Sequence, residues 1–302
     1  MPTAPVKTLK ELLKGAQLPA LPQSAIRLLE LSQNPNNGPA DFAAPIESDP
    51  GLCSQVLKFV NSAYFGFSRE ISNVKLAITL VGVRTIKNFA LWSAVFSLMP
   101  NPKCGPFDLK RLWQDSLRRG LFARAYGKLL GLKDSEDLFA AALLQDLAIP
   151  ILSKELPTQY TKLLEARNGG KARLSDLERA EFGWDHAEAA GVIARTWSLP
   201  EEFARLIETH CKTDEVIANG AKDIGRLAVG VSALLPTATD AEWVDGPRFM
   251  AAFEATAPGK KVEDLMTQVD KDFAEFAPVL KITTGGKTLM QHLQEMQTAV
   301  AK

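Results

Sequence analysis

The sequence predicts an all-α protein built as a multi-helix bundle, and three observations support this fold class. Apolar residues recur at intervals of three and four along most of the chain, whereas alternating β-branched runs are scarce. Several of these runs begin with Asp, Ser or Pro, which are typical residues of helix starts. The chain has 302 residues, 46% of them hydrophobic, which is enough to bury a sizeable core.

In the first half of the chain, residues that start or break helices mark the boundaries between the predicted helices. Asp49 is predicted to cap a helix in which Pro50 takes the first position. The helical run over residues 72–99 contains Gly82, which weakens a single long helix. We therefore expect two helices that meet near Gly82, with Pro100 ending the second one.

The middle of the chain is predicted to be helical as well. A loop over residues 101–108 separates two helical halves, and helices are expected over 108–131 and 135–152. Pro150 is expected to disturb the end of the second helix.

Two serine–glutamate pairs have the spacing of a capping box and predict further helix starts. These pairs are Ser175 with Glu178, and Ser198 with Glu201.

Composition restricts the classes of function. Lysine and arginine total 35, as do aspartate and glutamate, so no net field attracts nucleic acid or an anionic membrane. Cys53, Cys104 and Cys211 are far apart and form no CxxC pair, which disfavours a structural zinc site or a disulfide framework. No signal peptide is evident, and the apolar run 89–99 is too short to span a bilayer. We therefore expect a cytoplasmic protein.

Few residues offer chemistry. The chain has three histidines and lacks a nucleophile elbow, a P-loop and a dinucleotide-binding fingerprint. Asp146 lies within the apolar stretch LLQDLA, where a buried carboxylate is costly unless it is paired. The candidates are therefore Asp146, His186, His210 and their neighbours.

Two blocks of sequence resemble the HDOD domain, the HD-related output domain of bacterial signalling proteins. The first block contains LPALPQSAIRLLELSQNPN (18–36) and then ESDPGLCSQVLKFVNSAYF, with LAITLVGV further on. The second is FGWDHAEAAGVIARTWSLPEEFARLIETHC (182–211). The resemblance covers residues 15–215. It implies a helical bundle over 15–105, an HD-like helical half over 106–215 and a C-terminal helical extension over 216–302.

The same resemblance implies a degenerate metal site. The related HD-type phosphohydrolases use a His, a His-Asp pair and a distant Asp to hold metal ions. Here Gln145 precedes Asp146, Asp115 stands where the upstream His would fall, and no acidic residue lies within 225–235. One of the four ligands remains, and a Gln amide poorly replaces an imidazole. We therefore expect no catalytic residue, no metal and no cofactor.

The HDOD resemblance also implies a function. We expect a stand-alone, non-catalytic regulatory module, because no receiver, cyclase or kinase segment is recognisable, and we expect a signalling protein as its partner. We expect no binding to membranes or nucleic acid. Any small ligand, for example a small nucleotide, would occupy the altered cavity, whose candidate residues are Asp115, Gln145, Asp146, His186 and His210.

Two alternatives stay open. One is a metal-dependent phosphohydrolase, in which Asp115 and Asp146 hold a hard ion. The other is a cyclic-dinucleotide sensor, which would be supported if Arg118, Arg119 or Arg124 faced the cavity. A solvated helix face is the simpler interpretation of these arginines.

Each candidate side chain also has a simpler structural interpretation. Asp146 would be a retained carboxylate that is hydrogen-bonded to a neighbouring helix. His186 would begin a helix that Asp185 caps, and His210 would be favoured at a helix end by the dipole. Cys211 with His210 would make a site of two ligands at most.

Overall fold

The computed structural model describes residues 8–16, 18–133, 135–282 and 285–300. The predicted all-α class is confirmed, since these residues form helices joined by loops and short 3-10 turns and contain no strand. No helix in the described ranges is both long enough and apolar enough to cross a membrane.

The N-terminal helices precede the loop at residues 99–108. They are α1 (Leu9–Gly15), α2 (Gln23–Ser32), α3 (Pro39–Glu47), α4 (Pro50–Val60), α5 (Val74–Val81) and α6 (Val83–Leu98).

The remaining helices follow that loop. They are α7 (Leu109–Leu129), α8 (Glu136–Leu144), α9 (Ala148–Glu155), α10 (Pro157–Ala166), α11 (Leu174–Phe182), α12 (His186–Thr196), α13 (Glu201–Thr209), α14 (Thr213–Asn219), α15 (Ile224–Ser232), α16 (Gly246–Thr256), α17 (Val262–Phe276) and α18 (Leu289–Val300).

Two local predictions in the first half are confirmed. The Asp49 carboxylate accepts the backbone N–H of Leu52 at 3.0 Å, and Pro50 is the first residue of α4. Gly82 separates α5 from α6 with a φ of 100°, a value that favours glycine. Both features depend on residues that are close in sequence, which is why the sequence predicts them.

The predicted helix over 135–152 is wrong in its continuity. The structure divides it into α8 and α9, which meet at residues 145–147. Pro150 is the third residue of α9, where a backbone N–H would have no partner within the helix, so it ends nothing. The break instead places Asp146 at a junction between two helices.

Both predicted capping boxes are wrong. Ser175 and Glu178 lie inside α11 with buried side chains, and α11 has no side-chain cap. Ser198 lies outside α13 with a φ of 57°, while Glu201 pairs with Arg195. In both cases the glutamate binds a side chain of another helix instead of capping its own helix.

The centre of the core is α7, which packs against α8, α15 and α17. Phe276 of α17 adds an aromatic cluster, with ring centroids 5.4 Å from Phe59, 4.2 Å from Tyr64 and 6.2 Å from Phe139. The core therefore continues across the domain boundaries predicted near residues 105 and 215, and those boundaries stay predictions.

Close packing of α7 on α8 depends on Gly120. A Cβ atom there would lie 2.9 Å from both the Phe139 carbonyl oxygen and the Leu143 Cγ. We expect Gly120→Ala to lower the free energy of unfolding by about 1–3 kcal/mol, as overpacking does. Urea unfolding measures this loss. Gly15→Ala is the control, because its added Cβ meets nothing within 4 Å, and equal stability of the two variants would contradict the prediction.

Candidate functional site

A cavity of about 160 Å³ lies where α7, the α8–α9 junction, α12 and α13 converge. Four of the five predicted pocket residues line it: Asp115, Asp146, His186 and His210. Gln145 is buried but does not line this cavity. The structure therefore brings together residues that lie up to 95 positions apart in the sequence.

Asp146 is at the centre of a buried polar network and is only 2% exposed. Its Oδ2 accepts a hydrogen bond from Arg119 Nη1. Its Oδ1 lies 3.4 Å from His186 Nε2 and 3.5 Å from His210 Nε2. Burial alone would raise the pKa of Asp146, but Arg119 and the two histidines hold that pKa well below its usual value. The carboxylate is therefore ionised and paired.

Glu178 fixes the ring of His186. Its Oε2 accepts both the backbone N–H of His186 at 2.8 Å and the ring Nδ1 at 2.6 Å. Its Oε1 accepts the Tyr160 hydroxyl at 2.6 Å. The predicted cap of α12 is confirmed, because Asp185 accepts the Glu188 N–H at 3.0 Å. These bonds aim the Nε2 of His186 at the cavity.

The ring of His210 is fixed in the same way by a backbone group. Its Nδ1 lies 2.6 Å from the carbonyl oxygen of Ile207, and its Nε2 lies 3.3 Å from the Nε2 of His186. Cys211 Sγ lies 3.4 Å from the same His186 atom. The ligand atoms of His186, His210 and Cys211 all lie within 4.8 Å of one another. The prediction of two ligands at most is therefore wrong, because His186 joins the pair.

The cluster has unusual charge states. Burial would lower the pKa of His210, but Cys211 and Asp146 outweigh it and raise that pKa to about 9. The pKa of His186 is raised well above its usual value, since Cys211 and Glu178 overcome its burial. Burial would raise the pKa of Cys211, yet the two histidines lower it to about 6. These shifts favour a thiolate at Cys211 and protonated imidazoles at His186 and His210.

Asp115 and Gln145 have supporting contacts instead. Asp115 Oδ1 accepts the backbone N–H of Ala238 at 2.7 Å, which ties α7 to the loop after α15. Burial raises the pKa of Asp115 to about 7, against the opposing effect of Arg119. Gln145 Oε1 accepts the Ser232 hydroxyl at 3.4 Å.

The predicted solvated arginine face is wrong. Arg118 is 2% exposed and Arg124 is 3% exposed. The guanidinium of Arg118 lies over the Phe273 ring, and that of Arg124 lies over the Phe139 ring. Of the three arginines, Arg119 lines the cavity.

The sequence did not identify Arg119 as the partner of Asp146 or Glu178 as the partner of His186. The sequence could have placed Arg119 near the site, because it follows Asp115, a candidate pocket residue, by four positions and shares one face of α7 with it. For Glu178 the local signal was misleading, since its spacing from Ser175 suggested a helix cap.

Comparison with known proteins identifies a matching domain family and a distant relative. The HDOD domain model matches residues 18–213. An uncharacterized protein of Treponema pallidum (strain Nichols) is 27% identical over 196 residues, which cover 64% of this chain and 37% of that protein's length. The chain therefore matches little more than a third of this relative.

Solved structures share the fold. A candidate phosphohydrolase from Shewanella amazonensis SB2B is 20% identical with a TM-score of 0.67, covering 89% of this chain and 97% of that one. A candidate signal transduction protein from Marinobacter aquaeolei VT8 is 18% identical with a TM-score of 0.64, covering 98% of this chain and 62% of that one. At these identities the likeness establishes a common fold.

Proposed function

This chain belongs to the HDOD domain family, and from this premise we propose that it is a non-catalytic regulatory module that acts by binding another protein. The family gives the chain a regulatory or HD-related role. The absence of catalysis and the protein partner are the finer parts of the proposal.

The observation that supports this proposal is that both carboxylate oxygens of Asp146 already contact side chains of the protein itself. Arg119 binds one carboxylate oxygen, and His186 and His210 lie against the other. A catalytic metal needs an open coordination position for water. No oxygen of Asp146 is left to hold such a metal together with a water.

The other positions of an HD-type metal site do not fit a hydrolytic metal either. Gln145 directs its amide oxygen to Ser232, and the Asp115 carboxylate accepts a backbone N–H. The segment 225–235 contains no acidic residue. We therefore derive no hydrolytic step from this donor set.

The carboxylate-rich enzyme is the first alternative, and Arg119 argues against it. Its guanidinium interacts electrostatically with both Asp146 and Asp115. A cation of the protein thus already neutralises the carboxylates that a hard metal ion would need.

The cyclic-dinucleotide sensor is the second alternative, and Arg119 does line the cavity as that function requires. However, each arginine that lines the cavity already faces a carboxylate of the protein: Arg119 faces Asp146, Arg167 faces Asp240, Arg173 faces Asp245 and Arg111 faces Asp108. The cavity of about 160 Å³ is also smaller than the roughly 300–1,000 Å³ typical of ligand pockets. Both facts favour the regulatory module.

Hydrolysis assays test the absence of catalysis. We expect the full chain, supplied with Mn²⁺, Fe²⁺ or Mg²⁺, to leave bis(p-nitrophenyl) phosphate and cyclic dinucleotides unchanged above the buffer rate. The Asp146→Asn variant should give the same rate as the parent protein. Metal-dependent turnover that this substitution abolishes would refute the non-catalytic function.

Binding between purified proteins tests the partner. In-cell cross-linking would nominate a partner, and titration of the two purified proteins would then decide. We expect saturable binding that changes the partner's activity. A nominated partner that fails to bind the purified chain would count against the proposal.

A further inference from the structure

Two connections between helices face each other on the solvent side of the cavity. One is residues 167–173, between α10 and α11, which we call the link; the other is residues 236–245, directly before α16, which we call the loop. Residues of both line the cavity. Val244 of the loop is 52% exposed, whereas Asp146 and Cys211 are 2% and 7% exposed. The link and the loop therefore lie between the buried polar network and solvent.

The link and the loop carry opposite charges in matching order. The link contains three cations and no acidic residue, and the loop contains three carboxylates and no cation. Each cation pairs with one carboxylate: Arg167 with Asp240 at 2.9 Å, Lys171 with Glu242 at 3.4 Å and Arg173 with Asp245 at 3.1 Å. The two arginine pairs are partly buried, with side chains 7% to 21% exposed, so salt screens them less than it screens exposed pairs.

The backbones of the link and the loop also meet. The Gly169 carbonyl accepts the N–H of Ala241 at 2.9 Å and that of Glu242 at 3.3 Å. At Gly170 an added Cβ would lie 2.6 Å from the Glu242 carbonyl oxygen and 2.7 Å from the Asp240 Cγ. Within the described residues, the other hydrogen bonds of the link run to itself and to the helices at its ends. Contact with the loop is therefore what holds the link over the cavity.

The loop, by contrast, is anchored to the body of the protein. The backbone N–H of Ala238 donates to Asp115 of α7 at 2.7 Å. The Trp243 indole N–H donates to the Leu234 carbonyl at 2.7 Å. The link has no such bond to a helix other than its own neighbours within the described residues, so the link is the part that can move.

We propose that the link is a lid, which closes the cavity by pairing with the loop and opens when the three ion pairs break. A segment held by few contacts opens locally, at a lower free energy than global unfolding. Opening would connect the cavity that contains Asp146 and Cys211 with solvent and leave the surrounding helices in place. This conformational device goes beyond the proposed function and does not depend on it.

A disulfide across the lid tests the proposal in the full chain. A Cβ at Gly169 would lie 3.6 Å from the Cβ of Ala241, within the roughly 3.5–4.5 Å found in disulfides. In the double variant Gly169→Cys/Ala241→Cys, iodoacetamide alkylation of Cys211, located by peptide mass, reports opening. We expect the oxidised form to react at least about tenfold more slowly at Cys211 than the reduced form. Equal rates in the two forms would overturn the lid.

Gly170→Ala tests the opposite direction. Its Cβ would push the link away from the loop, so we expect Cys211 to be alkylated at least about tenfold faster than in the parent protein. Gly131→Ala is the matched control, because the φ of Gly131 is 92° against 96° at Gly170 but its added Cβ meets nothing within 4 Å. An unchanged rate in Gly170→Ala, or equal acceleration in the control, would overturn the lid.

Cys104 separates lid opening from unfolding in both experiments. This thiol is 2% exposed and does not line the cavity, so we expect it to stay unreacted while Cys211 is alkylated. Reaction of both cysteines at the same rate would mean that unfolding, not a lid, exposes Cys211, and would overturn the proposal. Diester turnover by the protein would refute the non-catalytic function and leave the lid intact.

Discussion

Asp146→Ala is expected to lower the free energy of unfolding by about 3–5 kcal/mol, the cost of removing one partner from a buried ion pair. The substitution removes the carboxylate that accepts a hydrogen bond from the Arg119 guanidinium, whose side chain is only 13% exposed. It also removes the carboxylate that faces His186 and His210. Urea unfolding followed by circular dichroism measures the loss.

Two comparisons make this test specific. Glu30→Ala breaks the exposed pair of Arg27 and Glu30, whose side chains are 56% and 51% exposed, and should cost no more than about 1 kcal/mol. The double variant Arg119→Met/Asp146→Leu should be more stable than Asp146→Ala, because no buried charge of the pair then lacks a partner. An Asp146→Ala loss as small as that of Glu30→Ala would show that the pair is unimportant.

Local signals predicted the helices of the first half. The cap at Asp49 and the break at Gly82 depend on bonds and angles within a few residues. By contrast, the sequence favours one helix over residues 135–152 that Pro150 disturbs near its end, because a proline signals a boundary more strongly than Asp146 does, whereas the structure breaks the helix at residues 145–147. The boundary at Asp146 serves the cavity, and that requirement comes from distant parts of the chain.

The members of the site could be named from sequence, but their roles could not. The acidic residue in the apolar stretch LLQDLA and the scarcity of histidines pointed to Asp146, His186 and His210, which the fold brings together. Whether Glu178 capped a helix or held His186 depended on the packing of α11 against α12. Local spacing favoured the cap, and the tertiary contact prevailed.

The C-terminal third contributes to the core, and its removal should prevent cooperative folding. In the intact protein α15 and α17 both pack against α7. A fragment of residues 1–215 would expose that face of α7, and total stabilities are only about 5–15 kcal/mol. We expect this fragment to show no cooperative urea transition, and a sharp transition would contradict the prediction.

A single substitution tests whether the stability of the core depends on the aromatic cluster around Phe276. Phe276 is fully buried against Phe59, Tyr64 and Phe139, which belong to earlier parts of the chain. Phe276→Ala should therefore cost about 3–5 kcal/mol by urea unfolding, as removal of a buried phenylalanine does. Phe67→Ala is the matched control, because Phe67 is 37% exposed and should cost less than about 1 kcal/mol. Equal losses would mean that the cluster does not join α17 to the rest of the core, and the instability expected of the fragment would then need another cause.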